Sequence, residues 1–217
     1  MTRKLSQEQI SKIYVSIGIV IVSLYLAVTV HEYGHAMFYS FYGCKESMVL
    51  INPLIVFSTA DCINPSSEEF FKSLTSSQTV IVDLGGITVQ FILGIFFLYL
   101  FFYINPIKKN YVLSLFSFFF SLTNFGHLSM YLAFDPFSSI GDIIDIIKIT
   151  GIDGILVSFL GLILIVSFLA FYTKKFSMLL KRVEPKLNEK QIKKFTKIFL
   201  ISLIALILLF GMFFILY

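Results

Sequence analysis

His31, Glu32 and His35 stand in the order His-Glu-Tyr-Gly-His, the densest group of reactive side chains in the sequence. On a helix, residues four apart share a face, so both imidazoles can reach one metal ion. Glu32, next to the first of them, is placed to take a proton from water on that ion. Zinc lowers the pKa of such a water toward about 7, which gives a nucleophile at neutral pH. The chemistry needs three protein ligands and one open position, and this motif supplies two ligands and a base. A chance motif of this kind on a soluble helix is merely solvated. Here it ends a long apolar run, where ionisable groups cost about 2.5–3.5 kcal/mol each on insertion scales and therefore face an interior site. The competing reading is a structural polar cluster near the membrane interface.

The elements that must position these residues follow from composition. The chain is 57% hydrophobic and only 14% charged, against about 25% charged in ordinary globular proteins. A membrane span takes roughly 20 mostly apolar residues, and five stretches meet that length: 13–41, 79–103, 111–134, 150–172 and 197–217. The expected fold is all-α, a polytopic helical membrane protein with about five transmembrane helices in a single domain over 1–217. The first run continues past Tyr25 into the motif without a small-residue cleavage site, so it reads as a span and not as a cleaved signal. Gly43 is its expected stop. Residues 44–78 carry a shorter apolar run, MVLINPLIVF, broken by Pro53. That run predicts a re-entrant or strand-like outer segment. Cys44 and Cys62 lie in the same segment, either paired or free. Gly85 and Gly86 in the second span suit close helix packing, with Asp83 and Gln90 as its polar residues.

Charge sets the expected orientation. Of the 17 Lys and Arg residues, all but Lys45, Lys72 and Lys148 fall on the side that holds the N-terminus and the segments 104–110 and 173–196. The positive-inside rule puts that side, and the N-terminus, in the cytosol, with the C-terminus and the site on the non-cytosolic side. Residues 173–196 are expected as a basic cytosolic loop against the anionic lipid of the bilayer, not as a nucleic-acid patch.

The third ligand must come from another element at the same depth. His31 lies about 28 Å along the first helix from Lys12, and Asn124 and His127 lie about 21–26 Å along the third span. The turn bearing Asp135 and Asp142 is on the same side. Asp142 is the favoured third ligand, with Asp135 as the other acid. Ser139-Ile-Gly-Asp142 also fits a capping box, which would give Asp142 a purely structural task. His127 reads as an alternative ligand, an oxyanion donor or a packing residue, and Asn124 as a second polar group for the oxyanion. Asp83 either lines the same cavity or sits at the interface.

These segments resemble the site-2 protease group of intramembrane zinc metalloproteases. The resemblance is carried by HEYGH at 31–35, by the glycine-rich DLGGITVQFILG at 83–94, and by SSIGDIIDIIKITGIDG at 138–154, with an Asp ahead of a helix. It implies a zinc-dependent endopeptidase acting on transmembrane protein substrates, with His31, His35 and Asp142 as zinc ligands and Glu32 as general base. The group's Asn-Pro segment ending in Asp-Gly is absent, since Asn124 precedes Phe-Gly-His and Asp142 precedes Ile. Another type of membrane zinc protease would use a Glu ligand on a later helix, but Glu184 and Glu189 fall on the expected cytosolic side. A transporter would show two related halves with interrupted helices, and none are evident. The remaining alternative is a catalytically silent metal-binding adaptor or sensor of the same fold.

Overall fold

The computed structural model describes residues 7–52, 57–139 and 141–216. Helix α1 (Gln7–Phe41) carries the first apolar run and the His-Glu motif on one continuous rod. It stops where expected: Gly43 adopts φ 105°, a left-handed conformation open to glycine, and the Cys44 amide donates back to the Tyr39 carbonyl at 3.1 Å. The strand-like outer segment is an antiparallel hairpin, β1 (Glu46–Asn52) and β2 (Phe57–Asn64), with Val49 opposite Ala60. Pro53 lies outside the described residues. A short helix α2 (Ser67–Ser73) leads to α3 (Ser76–Tyr103). Its start is fixed by a capping box, the Thr75 hydroxyl accepting from the Gln78 amide while the Gln78 side chain accepts from Thr75 N–H. The five-residue helix α4 (Asn105–Lys109) turns the chain into α5 (Tyr111–Phe134), whose first turn is capped by Asn110.

After α5, a single 3₁₀ turn (Asp135–Phe137) and α6 (Asp142–Thr150) precede α7 (Gly154–Val183) and α8 (Glu189–Leu216). Among the described residues, four helices are long and apolar enough to cross a membrane: Ser11–Phe41, Ser76–Tyr103, Tyr111–Phe137 and Gly154–Val183. The fold is thus an all-α polytopic membrane protein with one small hairpin. The expected fifth span, 197–217, falls within α8, apart from Tyr217, which lies outside the described residues. The fourth begins later than expected, at Gly154, because α6 ends on Gly151 with φ 71°.

The stretch 173–196 corrects an expectation. It is not a loop: α7 runs to Val183 and α8 begins at Glu189, leaving only 184–188 between them. Lys, Arg, Leu and Met are strong helix formers, and Leu179 is buried against the aromatic core, so the basic run is carried on helix ends.

Helix α5 is the most enclosed of the four and packs against α1, α3 and α7. Helices α3 and α7 run antiparallel to α5, and α1 runs parallel to it, Tyr111 meeting Lys12 and Thr123 meeting Ser23. One half is an aromatic core of Phe101, Phe118, Phe119, Phe168 and Tyr172. Basic residues border it: Arg182 donates to the Phe101 carbonyl at 2.8 Å, and Lys12 pairs with Glu184 at 3.3 Å. The other half holds the polar residues of the motif and the hairpin. There a disulfide joins Cys44 and Cys62 across a Cα separation of 5.9 Å, packed with Tyr39, Phe70 and Val82.

Candidate metal centre

Helices α1 and α3 run side by side in register. Ala27, His31 and His35 are spaced by one turn along α1, and Gln90, Gly86 and Val82 by one turn back along α3. Each pair meets. Gln90 Nε2 donates to the Ala27 carbonyl at 2.9 Å, and His35 Nδ1 donates to the Val82 carbonyl at 2.8 Å. Between them Gly86 leaves room for both imidazoles, since a Cβ there would lie 2.6 Å from His35 Nε2 and 2.7 Å from His31 Cε1. Gly34 makes the approach possible, because a Cβ on it would lie 2.6 Å from the Gly85 carbonyl oxygen.

With His35 Nδ1 held by Val82 and His31 Nδ1 held 3.1 Å from Gln90 Oε1, the two histidines turn their Nε2 atoms toward each other at 3.0 Å. Asp142, the first residue of α6, reaches the same point: its Oδ2 is 2.9 Å from His31 Nε2 and 3.2 Å from His35 Nε2. Both histidines are buried. Three ligand atoms at these separations form a group that could hold a metal ion. A tetrahedral ion with ligands at about 2.0–2.1 Å has ligand–ligand edges of about 3.3 Å, so the three atoms need spread only by tenths of an ångström. Burial opposes ionisation of Asp142. Hydrogen bonding and charge from His31 and His35, when those rings are protonated, outweigh it and hold the carboxyl below the usual carboxylate range.

The other acid of the turn has a different task. Asp135 is fully buried, and its Oδ2 accepts from the Ile143 amide at 2.7 Å and from the Ile144 amide at 3.4 Å, while Oδ1 accepts from the Ser138 hydroxyl at 2.9 Å. It therefore satisfies the first amides of α6, the role that the capping-box reading gave to Asp142. Gly141 holds the N-cap position at φ 146°, and a Cβ there would run into the Asp135 carboxylate. Asp135 is thus a structural residue that aims Asp142, and the ligand group contains neither Asp135 nor His127.

Glu32 accepts a hydrogen bond from the Ala60 amide on β2 at 2.9 Å. His127 sits within 3.0 Å of the Gln90 amide nitrogen, its ring 5.5 Å from that of His31, and the Tyr131 ring packs against both. Asn124 is buried one turn away on α5 and donates to the Phe120 carbonyl of its own helix at 2.7 Å. Asp83 follows Val82 on α3, and its buried Oδ2 has no hydrogen-bond partner.

Gln90, which the sequence marked only as a polar residue of the second span, belongs to the site. The signal was its spacing: counted in steps of four, it is the member of the α3 row that faces Ala27 and His31. The hairpin's contact with Glu32 had no sequence signal, because it is made by a backbone amide.

The fold and the cluster together define a polytopic helical membrane protein with a group of two buried histidines and a half-buried aspartate that could hold a metal ion. No protein-family model, characterised protein or solved structure matches the chain.

Proposed function

We propose that the chain is a zinc-dependent intramembrane endopeptidase of the site-2 protease kind, cutting membrane-spanning protein substrates. One observation carries the reading: ligand atoms from α1 and α6, more than a hundred residues apart in sequence, converge beside a glutamate inside an apolar bundle. Two imidazoles and a carboxylate are a donor set that suits zinc and leaves a coordination position open. Zinc, when bound, polarises a carbonyl and makes water acidic enough to attack near neutral pH.

The chain's own residues do the rest. His31 and His35 bind through Nε2 and Asp142 through Oδ2, while Val82 and Gln90 orient the rings. Glu32 takes the proton of the attacking water and passes it to the departing amine nitrogen. His127 donates a hydrogen bond to the carbonyl oxygen as negative charge develops on it. Asn124, bonded within α5, is assigned no step. This reading puts the N-terminus in the cytosol and the site toward the other face. Basic residues gathered at the far end of the bundle and a disulfide at the site end support that orientation.

The alternative, a silent metal-binding adaptor or sensor, is favoured by one feature, the Ala60 amide that engages an oxygen of Glu32. Zinc-loaded protein in liposomes, offered a panel of single-span membrane peptides, separates the two. The wild type should cleave, and Glu32→Gln should keep its zinc while losing roughly 10²–10⁴-fold in rate. Equal cleavage by both proteins contradicts the assignment of Glu32, and zinc binding without cleavage by either supports the silent form.

A further inference from the structure

The side chain of Gln90 is 1% exposed and touches three polar groups at once. Its Nε2 lies 2.9 Å from the Ala27 carbonyl oxygen and 3.0 Å from His127 Nδ1, and its Oε1 lies 3.1 Å from His31 Nδ1. The Ala27 carbonyl can only accept, so it requires the nitrogen of the amide on its side. That orientation turns Oε1, a pure acceptor, toward His31, and His31 Nδ1 must then carry a proton. With its proton on Nδ1, a neutral His31 has Nε2 bare and pointing at His35 and Asp142.

The second amide hydrogen of Gln90 remains. It points to His127 Nδ1, which therefore accepts and is bare. The same ring nitrogen also lies 3.2 Å from Gln90 Oε1, which has a second lone pair, so the competing arrangement is donation from His127 Nδ1 to that oxygen. The shorter contact, 3.0 Å to Nε2, favours the amide as donor, since a proton on His127 Nδ1 would face the amide's own hydrogen. The neutral ring thus carries its proton on Nε2.

We infer that Gln90 is a positioning residue that sets the tautomers of two histidines at once, leaving His31 Nε2 free to ligate and making His127 an Nε2–H donor. The inference rests on the proposed metal reading only in taking His31 Nε2 as a ligand. It explains why two histidines so close together play opposite parts: the amide presents an acceptor to one and a donor to the other. It also accounts for Gln in preference to Glu, which has no amide hydrogens for Ala27 and His127.

All three histidines of the chain belong to this site, so a ring-¹⁵N-histidine spectrum of the full-length protein in micelles contains nothing else. The probe is zinc alone, added to one equivalent. The expected spectrum has His31 and His35 protonated on Nδ1 with Nε2 shifted by the metal, and His127 protonated on Nε2 with its resonances unaffected as a ligand. Gln90→Met, which fills similar space without the amide, should leave His127 as a mixture of tautomers and weaken zinc binding roughly 10–100-fold. Gln90→Glu should move the His127 proton to Nδ1. A wild-type His127 that carries its proton on Nδ1, or that shifts as a zinc ligand, overturns the inference without needing any variant to fold. The spectrum is independent of turnover. Protein with the expected tautomers that cleaves nothing sinks the protease reading alone, and protein that cleaves with the other tautomer sinks the role of Gln90 alone.

Discussion

At the residue scale the site separates the groups that would bind a metal from those that aim them. His31, His35 and Asp142 bring their Nε2 and Oδ2 atoms within 3.2 Å of one another, and the Val82 carbonyl, Gln90 and Asp135 hold them from behind. Gly86 belongs to the second set through what it lacks. Gly86→Ala places a methyl against both imidazoles, so zinc affinity should fall by more than tenfold in a competition titration. Gly18→Ala, on the same membrane bundle with nothing within 4 Å of the new methyl, should leave affinity unchanged. Equal affinities in the two variants would mean that the rings are not packed as described. The pair His31 and His35 was legible from spacing alone, because four residues is one turn. The choice between Asp142 and Asp135 was not, since both stand in one short turn at the same depth. The choice is made by geometry: the buried Asp135 carboxylate is consumed by the amides of α6, and that capping is what presents Asp142.

At the element scale, α6 is a short lever that delivers Asp142 to the two histidines. Removing its cap should therefore damage both stability and metal binding. Asp135→Ala leaves the Ile143 and Ile144 amides without their acceptor, and it should cost about 1–2 kcal/mol, read as a lower midpoint in thermal unfolding, together with weaker zinc binding. A variant that unfolds earlier but binds zinc as tightly as the wild type would show that α6 is held by other contacts. The spans were legible because length and hydropathy suffice to mark a membrane helix. The outer hairpin was legible only as a broken apolar run, since its register depends on pairing that periodicity does not reveal. The basic stretch 173–196 was misread because charge density suggests solvent, whereas lysine and arginine extend a helix readily and let their stems lie along apolar surface. Lys175 does so, its amine standing 4.7 Å from the Phe102 ring centre.

At the scale of the whole molecule, the bundle is polarised, with an aromatic and basic half opposite a half containing the His-His-Asp group and the disulfide-tied hairpin. The orientation proposed from this asymmetry is open to labelling in intact cells, because Cys44 and Cys62 are bonded to each other and offer no competing thiol. Lys72→Cys, on exposed α2, should react with a membrane-impermeant maleimide added outside, and Lys190→Cys should react only after permeabilisation. The reverse pattern would turn the site toward the cytosol. The separation of the two ends was legible in the distribution of Lys and Arg. The meeting of α1 with α6 was not, since a contact between residues 31 and 142 follows from packing alone. The central claim is that this contact makes a metal site, and metal content tests it most directly. Purified wild-type protein, loaded with zinc and freed of excess, should retain about one ion per chain. His35→Ala and Asp142→Ala should each lose it. Wild-type protein that holds no zinc after loading, or an Asp142→Ala variant that holds as much as the wild type, would contradict the account.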